Sequence, residues 1–232
     1  MLRTLARASF GLLLIPASLL FSAHRGQVAA DEPTVLVPKP AVDAPLAKSP
    51  GVDTAVFAGG CFWGVEAVYE HVRGVISATS GYAGGATRSP SYDEVSTGRT
   101  GHAEAVRVVY DPSQVSYGQL LRVFFAVAHD PTQLNRQGPD RGTQYRSAIF
   151  LTSAAQKRIA SAYVSQLTAA NVFPKPIVTQ VASLGTFNEA EAYHQEYMAR
   201  HPNEPYIVIN DAPKVAHLKR DLKELYREPR SK

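Results

Sequence analysis

A single cysteine, Cys61, in 232 residues excludes any disulfide within the chain and any zinc site built on several thiolates. Tryptophan is as scarce: Trp63 is the only one. There is also little net charge. The chain carries 24 Lys+Arg against 20 Asp+Glu, but Arg3, Arg7 and Arg25 fall in the first thirty residues, which hold no acid. Without that segment the balance is near zero, so nothing favours a nucleic-acid partner. No internal repeat is present. The longest uncharged run near the start, Ala8 to Ala23, is short for a membrane span and is interrupted by Pro16.

What is present divides the chain into four parts. Arg3 and Arg7, the apolar run and the small residues Val28-Ala29-Ala30 have the layout of a secretory signal peptide over residues 1–30, removed after Ala30. The protein is then exported, periplasmic or secreted, and meets a membrane only through this transient segment. Residues 31–51 are rich in proline and alanine; Pro33, Pro38, Pro40, Pro45 and Pro50 forbid a helix and read as an extended tether. Residues 52–212 suit one catalytic domain with a sizeable core. Residues 213–232 form an amphipathic tail, with Val215, Leu218, Leu222 and Leu225 at helical spacing.

Within the domain, apolar patterning predicts strands near 54–58, 75–80, 104–110, 145–151 and 177–184, and helices near 61–73, 117–129, 154–169 and 189–200. Val106, Val108 and Tyr110 share one strand face, and Tyr117, Leu120, Leu121, Phe124, Phe125 and Ala128 form a helical stripe. Ser116 with Gln119, Ser153 with Gln156 and Asn188 with Glu191 have capping-box spacing. This mixture argues an α+β fold, a central mixed sheet with packed helices. Residues 81–103 and 129–144 read as long, polar, glycine-containing loops, the kind that carry function.

The stretch Ala58-Gly59-Gly60-Cys61-Phe62-Trp63-Gly64 places the lone cysteine where a buried strand ends and a helix begins. Gly59 and Gly60 allow a sharp turn there. The unpaired N–H groups of a helix start favour an anion, so a thiolate at Cys61 is expected to be stabilised, and the thiolate is the reactive form. Against this stands the common fate of a lone cysteine, inert burial in the core.

Gly60-Cys61-Phe62-Trp63-Gly64 resembles the active-site motif of the A-type peptide methionine sulfoxide reductases. Further blocks match in order: Ser80 to Gly85, Tyr92, Gly98 to Glu104, His129 to Thr132, Asp140 to Ser147, and Glu191 to Tyr197. The resemblance implies a two-layer α/β sandwich and reduction of methionine sulfoxide, protein-bound or free, as protein repair. By that resemblance Cys61 is the nucleophile and becomes a sulfenic acid, and Glu104 is the acid. Tyr92 and Tyr145 face the sulfoxide oxygen, Phe62 and Trp63 cup the methyl group, and Asp140 and His194 orient or contact the substrate. It implies no bound cofactor and no metal. Many members carry further cysteines near the C-terminus that resolve the sulfenic acid, but residues 201–232 have none here. Regeneration must then come from an external thiol: a thioredoxin-like protein, glutaredoxin or glutathione. The partners are oxidised proteins and that reductant, met by a monomer.

Three other readings compete. Cys61 with His102 or His194 as base would make a cysteine hydrolase, which needs the histidine beside the thiol. A non-catalytic module could bind oxidised or methionine-rich surfaces. His102, Glu104, His129 and Asp130 could bind a metal, though without paired ligand spacing.

Overall fold

The structure, a computed structural model, describes residues 36–229. The signal peptide expected over residues 1–30 lies outside them, as do 31–35 and 230–232. Strand β1 (Asp53–Gly59) leads into helix α1 (Phe62–Glu70), followed by β2 (Val75–Ala83), the short α2 (Tyr92–Ser96) and β3 (Ala103–Tyr110). Helix α3 (Tyr117–Val123) widens into a π-helical turn, Phe124–Ala128. A small hairpin of β4 (Arg136–Gln137) and β5 (Asp140–Arg141) precedes a 3₁₀ turn at Thr143–Tyr145, then β6 (Ser147–Leu151) and α4 (Ala154–Ala169). Strands β7 (Gln180–Ser183) and β8 (Phe187–Glu189), helix α5 (Tyr197–Arg200), a π-helical turn at Ile207–Asp211 and α6 (Ala212–Asp221) complete the chain.

Six strands form one sheet in the order β7-β6-β1-β3-β2-β8. The β6–β7 pair is parallel and the others are antiparallel, so the sheet is mixed, as its alternation of strands and helices predicts. The period of two along β1 and β3 sorts side chains onto two faces. Ala55, Phe57, Val106 and Val108 enter the main core with α1, α3 and α4, while Val56, Ala58, Ala105 and Phe150 line the opposite face. Phe57 is the centre of the main core, stacked 5.2 Å from Tyr69 and 5.1 Å from Phe124. The expected stripe on α3 is buried throughout.

Helix starts follow side-chain chemistry, with one miss in each direction. Ser116 and Gln119 form the reciprocal box that opens α3. Ser153 accepts from the Gln156 amide, but the Gln156 side chain turns to Thr152 N–H and Thr54 carbonyl instead. Ser91 and Glu94 form a full box at α2, inside the expected loop 81–103, where the same Ser-x-x-Glu spacing was available. The helix expected over 189–200 does not form. Asn188 and Glu191 cap nothing there: Asn188 pairs in β8 with β2, and Glu191 accepts hydrogen bonds from Tyr82 and Tyr92. A 3₁₀ turn (Ala192–His194) and α5 take that helix's place.

The proline-rich stretch is extended, but within the described residues it is docked rather than loose. Tyr163 donates to the Pro38 carbonyl at 2.6 Å, Gln166 bridges Ala41 N–H and Lys39 carbonyl, and Asp43 accepts from the Gly118 amide at 2.8 Å in the first turn of α3. Prolines remove helix as an option, and side chains of α3 and α4 then satisfy the exposed backbone. At the other end, Leu218, Leu222 and Leu225 are buried, and Tyr226 bridges to Val72. No helix among the described residues is long and apolar enough to cross a membrane.

Candidate active site

Gly60 makes the turn between β1 and α1 with φ +90°, and a Cβ there would lie 2.4 Å from Gln137 Cβ, so both conformation and space require glycine. Gly59 stays within the strand. Cys61 follows as the N-cap of α1, buried beneath the turn at 7% exposure. One strand away, the buried Glu104 sits on β3 opposite Tyr82 of β2. Its Oε2 accepts the Phe62 N–H at 3.0 Å. An orphan amide of the helix start is thereby spent on the carboxyl next door to the thiol.

This arrangement sets the protonation of both groups. Burial lifts Glu104 to about 8; the Phe62 amide opposes the rise, and the charges of Asp140 and Asp211 add to it. The carboxyl therefore holds a proton near neutral pH. Cys61 differs from the expectation drawn from its helix position. Burial pushes its thiol well up, and Glu104 and Asp211 push further; the Trp63 amide and Lys214 pull the other way without prevailing. Desolvation of a buried thiolate beside two carboxyls outweighs a nine-residue helix whose N-cap side chain closes no cap hydrogen bond. The resting site holds a thiol and a carboxylic acid.

Two tyrosines and an aspartate complete the polar side. Tyr92 opens α2, and burial followed by Glu104's charge raises its phenol. Tyr145 ends the 3₁₀ turn, and burial, then Glu104, Tyr92 and Asp140, raise it as well. Both hydroxyls remain donors. Asp140, on β5, accepts a 2.5 Å hydrogen bond from Tyr206.

The aromatic side is built on the first turn of α1. Phe62 is fully buried, its ring 5.9 Å from Tyr82 and 5.0 Å from His194. Trp63 is half-buried, stacked on Tyr197 at 3.7 Å with Tyr206 edge-on at 5.9 Å. Its indole N–H donates to His194 Nδ1 at 3.1 Å. That bond fixes the neutral histidine with its proton on Nε2, which has no hydrogen-bond partner among the described residues. Burial lowers the His194 pKa, consistent with the neutral form. The ring also lies 4.4 Å from Tyr92.

The eight residues that the resemblance assigns to the site therefore meet at one place: Cys61, Glu104, Tyr92, Tyr145, Phe62, Trp63, Asp140 and His194. Four others were not singled out. Tyr197 closes the last matched block, and Tyr206 lies beyond it; both are aromatic neighbours of Trp63. Asp211 and Lys214 carried no pattern. Asp211 is fully buried, paired with Lys214 at 3.0 Å, and occupies the space a side chain at position 64 would need. A Cβ on Gly64 would come 2.0 Å from its Oδ1, which explains the glycine that closes the cysteine motif.

The rival constellations do not assemble. Of the two histidines weighed as a base, His102 is held by Gly85 N–H and Thr87 carbonyl, and His194 has its Nδ1 occupied by the Trp63 indole N–H rather than by the Cys61 thiol; His129, weighed as a metal ligand, is held by Phe124 carbonyl and Ser147 hydroxyl. Burial takes His129 down to about 4, a neutral packing histidine. Asp130 accepts from Thr132 in a local turn. Among the described residues, no group of three or more His, Cys, Asp or Glu is arranged to hold a metal ion.

Comparison with known proteins agrees on one family. A family model described as peptide methionine sulfoxide reductase matches residues 53–226. A peptide methionine sulfoxide reductase, MsrA 2, of Mesorhizobium japonicum is 58% identical over 180 residues, covering 78% of this chain and 92% of its own. Its namesake in Synechocystis is 50% identical over 182 residues, covering 78% and 85%. Among solved structures, methionine sulfoxide reductase A of Corynebacterium diphtheriae superposes with a TM-score of 0.57 at 39% identity, over 74% of this chain and 86% of that one. The reduced form of Mxr1 from Saccharomyces cerevisiae gives 0.58 at 33% identity, over 68% and 94%.

Proposed function

We propose a mechanism for this chain, which belongs to the peptide methionine sulfoxide reductase family, in which Cys61 is the nucleophile and Glu104 the acid. The chain is an oxidoreductase of the A type: it returns methionine sulfoxide to methionine in protein repair, and draws its electrons from a thiol reductant. In the first step the Cys61 sulfur attacks the sulfoxide sulfur, and its proton passes to the Glu104 carboxylate as that group gives its own proton to the oxygen. Glu104 protonates the sulfoxide oxygen, with Tyr92 and Tyr145 donating to it, and Phe62 and Trp63 enclose the methyl group. One oxygen passes to Cys61, which becomes a sulfenic acid. The Cys61 sulfur is oxidised by one electron pair, the substrate sulfur is reduced by the same pair, and methionine departs. Asp140 orients Tyr206, and His194 Nε2–H is free to donate to the substrate.

The observation that carries this reading is the Glu104 carboxyl, buried, bonded to the amide beside Cys61, and holding its proton to about 8. An acid of that pKa suits protonation of a leaving oxygen at neutral pH. Because Cys61 is the only cysteine, the sulfenic acid is attacked by a thiol from outside, releasing water and forming a mixed disulfide. A second thiol then frees Cys61 and leaves as a disulfide. A thioredoxin-like protein, glutaredoxin or glutathione can serve. The enzyme works as a monomer in the periplasm or outside the cell, after loss of residues 1–30.

Anaerobic incubation with methionine sulfoxide and no reductant tests the first step. One methionine should form per enzyme, and the intact mass should rise by one oxygen located on Cys61. An acyl adduct would instead favour a cysteine hydrolase, and full turnover by Cys61→Ser would remove Cys61 from the reaction. An N-terminus at Met1 on protein from its native host would contradict export with cleavage.

A further inference from the structure

One carboxylate outside the reacting groups bonds three elements that surround the aromatic cup. Glu191 Oε1 accepts the backbone N–H of Tyr92 at 2.9 Å. Its Oε2 accepts the Tyr82 hydroxyl at 2.8 Å. Its own carbonyl accepts the His194 N–H at 2.9 Å, closing the turn that carries His194 to Trp63. The Tyr82 ring backs Phe62, and its backbone lies opposite Glu104 in the sheet. Partial burial pushes the Glu191 carboxyl up, but the Tyr92 amide and the Tyr82 hydroxyl together hold it below its ordinary range, so it stays ionised and remains an acceptor on both oxygens.

We propose that Glu191 is a positioning residue of the sulfoxide reduction: it locks Tyr92, on α2, to the His194 turn and to Tyr82 of the sheet, so that the oxygen donor and the methyl cup move as one unit. Helix α2 has only five residues and projects from a loop, so its own hydrogen bonds cannot place Tyr92 relative to Cys61. The capping box of Ser91 and Glu94 orders the helix internally, whereas Glu191 ties it to the molecule across 99 residues of sequence. The inference rests on Tyr92 donating to the sulfoxide oxygen.

A double-mutant cycle tests it. Glu191→Gln keeps size and removes one acceptor and the charge. It should lower kcat/KM by about tenfold to a hundredfold, the order expected when a reacting group is displaced by about an ångström. In the Tyr92→Phe background the same substitution should cost little more, because both act through one hydroxyl. Emission of Trp63, the only tryptophan, should shift as the His194 turn loosens, with far-UV circular dichroism unchanged. If the two losses multiply, or if Glu191→Gln reduces sulfoxide at the wild-type rate, the proposal is overturned. Should Glu191→Gln fail to fold, Tyr82→Phe removes a brace of the same carboxylate and keeps its charge. Its loss must likewise vanish in the Tyr92→Phe background; an unchanged rate or a multiplied loss overturns the proposal. A wild-type rate for Tyr92→Phe alone would overturn the role given to Tyr92 and this inference with it. A large Tyr92 effect without coupling overturns only Glu191.

Discussion

The start of α1 and the segment from Phe187 to Asp211 meet across the active site, and they are held by different means. Cys61 and Glu104 sit on β1–α1 and on β3, where ladders on both sides fix the backbone. The facing segment is a three-residue strand, a 3₁₀ turn, a four-residue helix entered through Glu196 at φ 52°, and a π-helical turn. Its order comes from side chains. Gln195 spans Ser80 N–H, Ser80 carbonyl and Ala190 carbonyl, and Arg200 gathers the carbonyls of Tyr193 and Gln195. In the proposed mechanism the proton chemistry is thus mounted on the stiff sheet, while Phe62 and Trp63 of the cup are backed by a turn whose shape depends on a few polar braces. Rate should respond most to changes on the first side, and affinity to changes on the second.

The largest effect should come from the sheet side. Glu104→Gln should slow single-turnover reduction by about a hundredfold to ten-thousandfold, the usual contribution of an acid, with KM little altered. Wild-type reduction should also fall as pH rises through about 8, where Glu104 loses its proton, and the variant should lack that limb. The sign for stability is the same. Folded Glu104 holds a proton that the unfolded chain releases near 4.5, so its contribution is complete below that pH and is lost as pH rises towards about 8. Glu104→Gln should therefore gain stability relative to wild type in alkaline unfolding experiments. An unchanged single-turnover rate would remove Glu104 from the reaction.

Gly64→Ala attacks the seam between the two regions. The new methyl would meet Asp211 Oδ1 at 2.0 Å and Lys214 Nζ at 2.8 Å, so the turn at Ile207–Asp211 must shift off α1. Overpacking of this kind costs about 1–3 kcal/mol, read by chemical denaturation. Stability equal to wild type would show that the seam yields freely and that the two regions are less coupled than their packing indicates.

Trp63→Phe is the mildest change and sharpens the contrast. It keeps an aromatic ring beside Tyr197 but removes the indole N–H that holds His194. One hydrogen bond is worth about 1 kcal/mol, so KM should rise by about fivefold with kcat nearly constant. A fall in kcat with KM unchanged would reverse the division of labour between the two sides.

Legibility in the sequence followed regularity. The period of two in β3 and the apolar stripe of α3 announced their buried faces, because a residue's neighbours in such elements are its neighbours in sequence. The 189–200 segment misled for the converse reason. Its Asn-x-x-Glu spacing resembles a helix cap, but Tyr82 and Tyr92, about a hundred residues away, claim the Glu191 carboxylate. Residues 36–51 were legible as non-helical, while their docking on α3 and α4 depended on Tyr163, Gln166 and the amide of Gly118.

By itself the sequence determined that one cysteine stands alone at a strand-to-helix turn, which motivates the proposal of an outside thiol. Its ordered motifs also determined the family and named the eight candidate residues of the site. Only the tertiary structure decided their protonation and their support. The expected gain of Cys61 from its helix start is a local effect, and it is overridden by burial together with Glu104 and Asp211, which approach from a neighbouring strand and from the far end of the chain. Desolvation and Coulomb interactions depend on distance in space, which spacing along the chain does not encode. For the same reason Asp211 beneath Gly64, and Glu191 between Tyr82 and Tyr92, become visible only once the fold has brought the two ends of the chain to one helix turn.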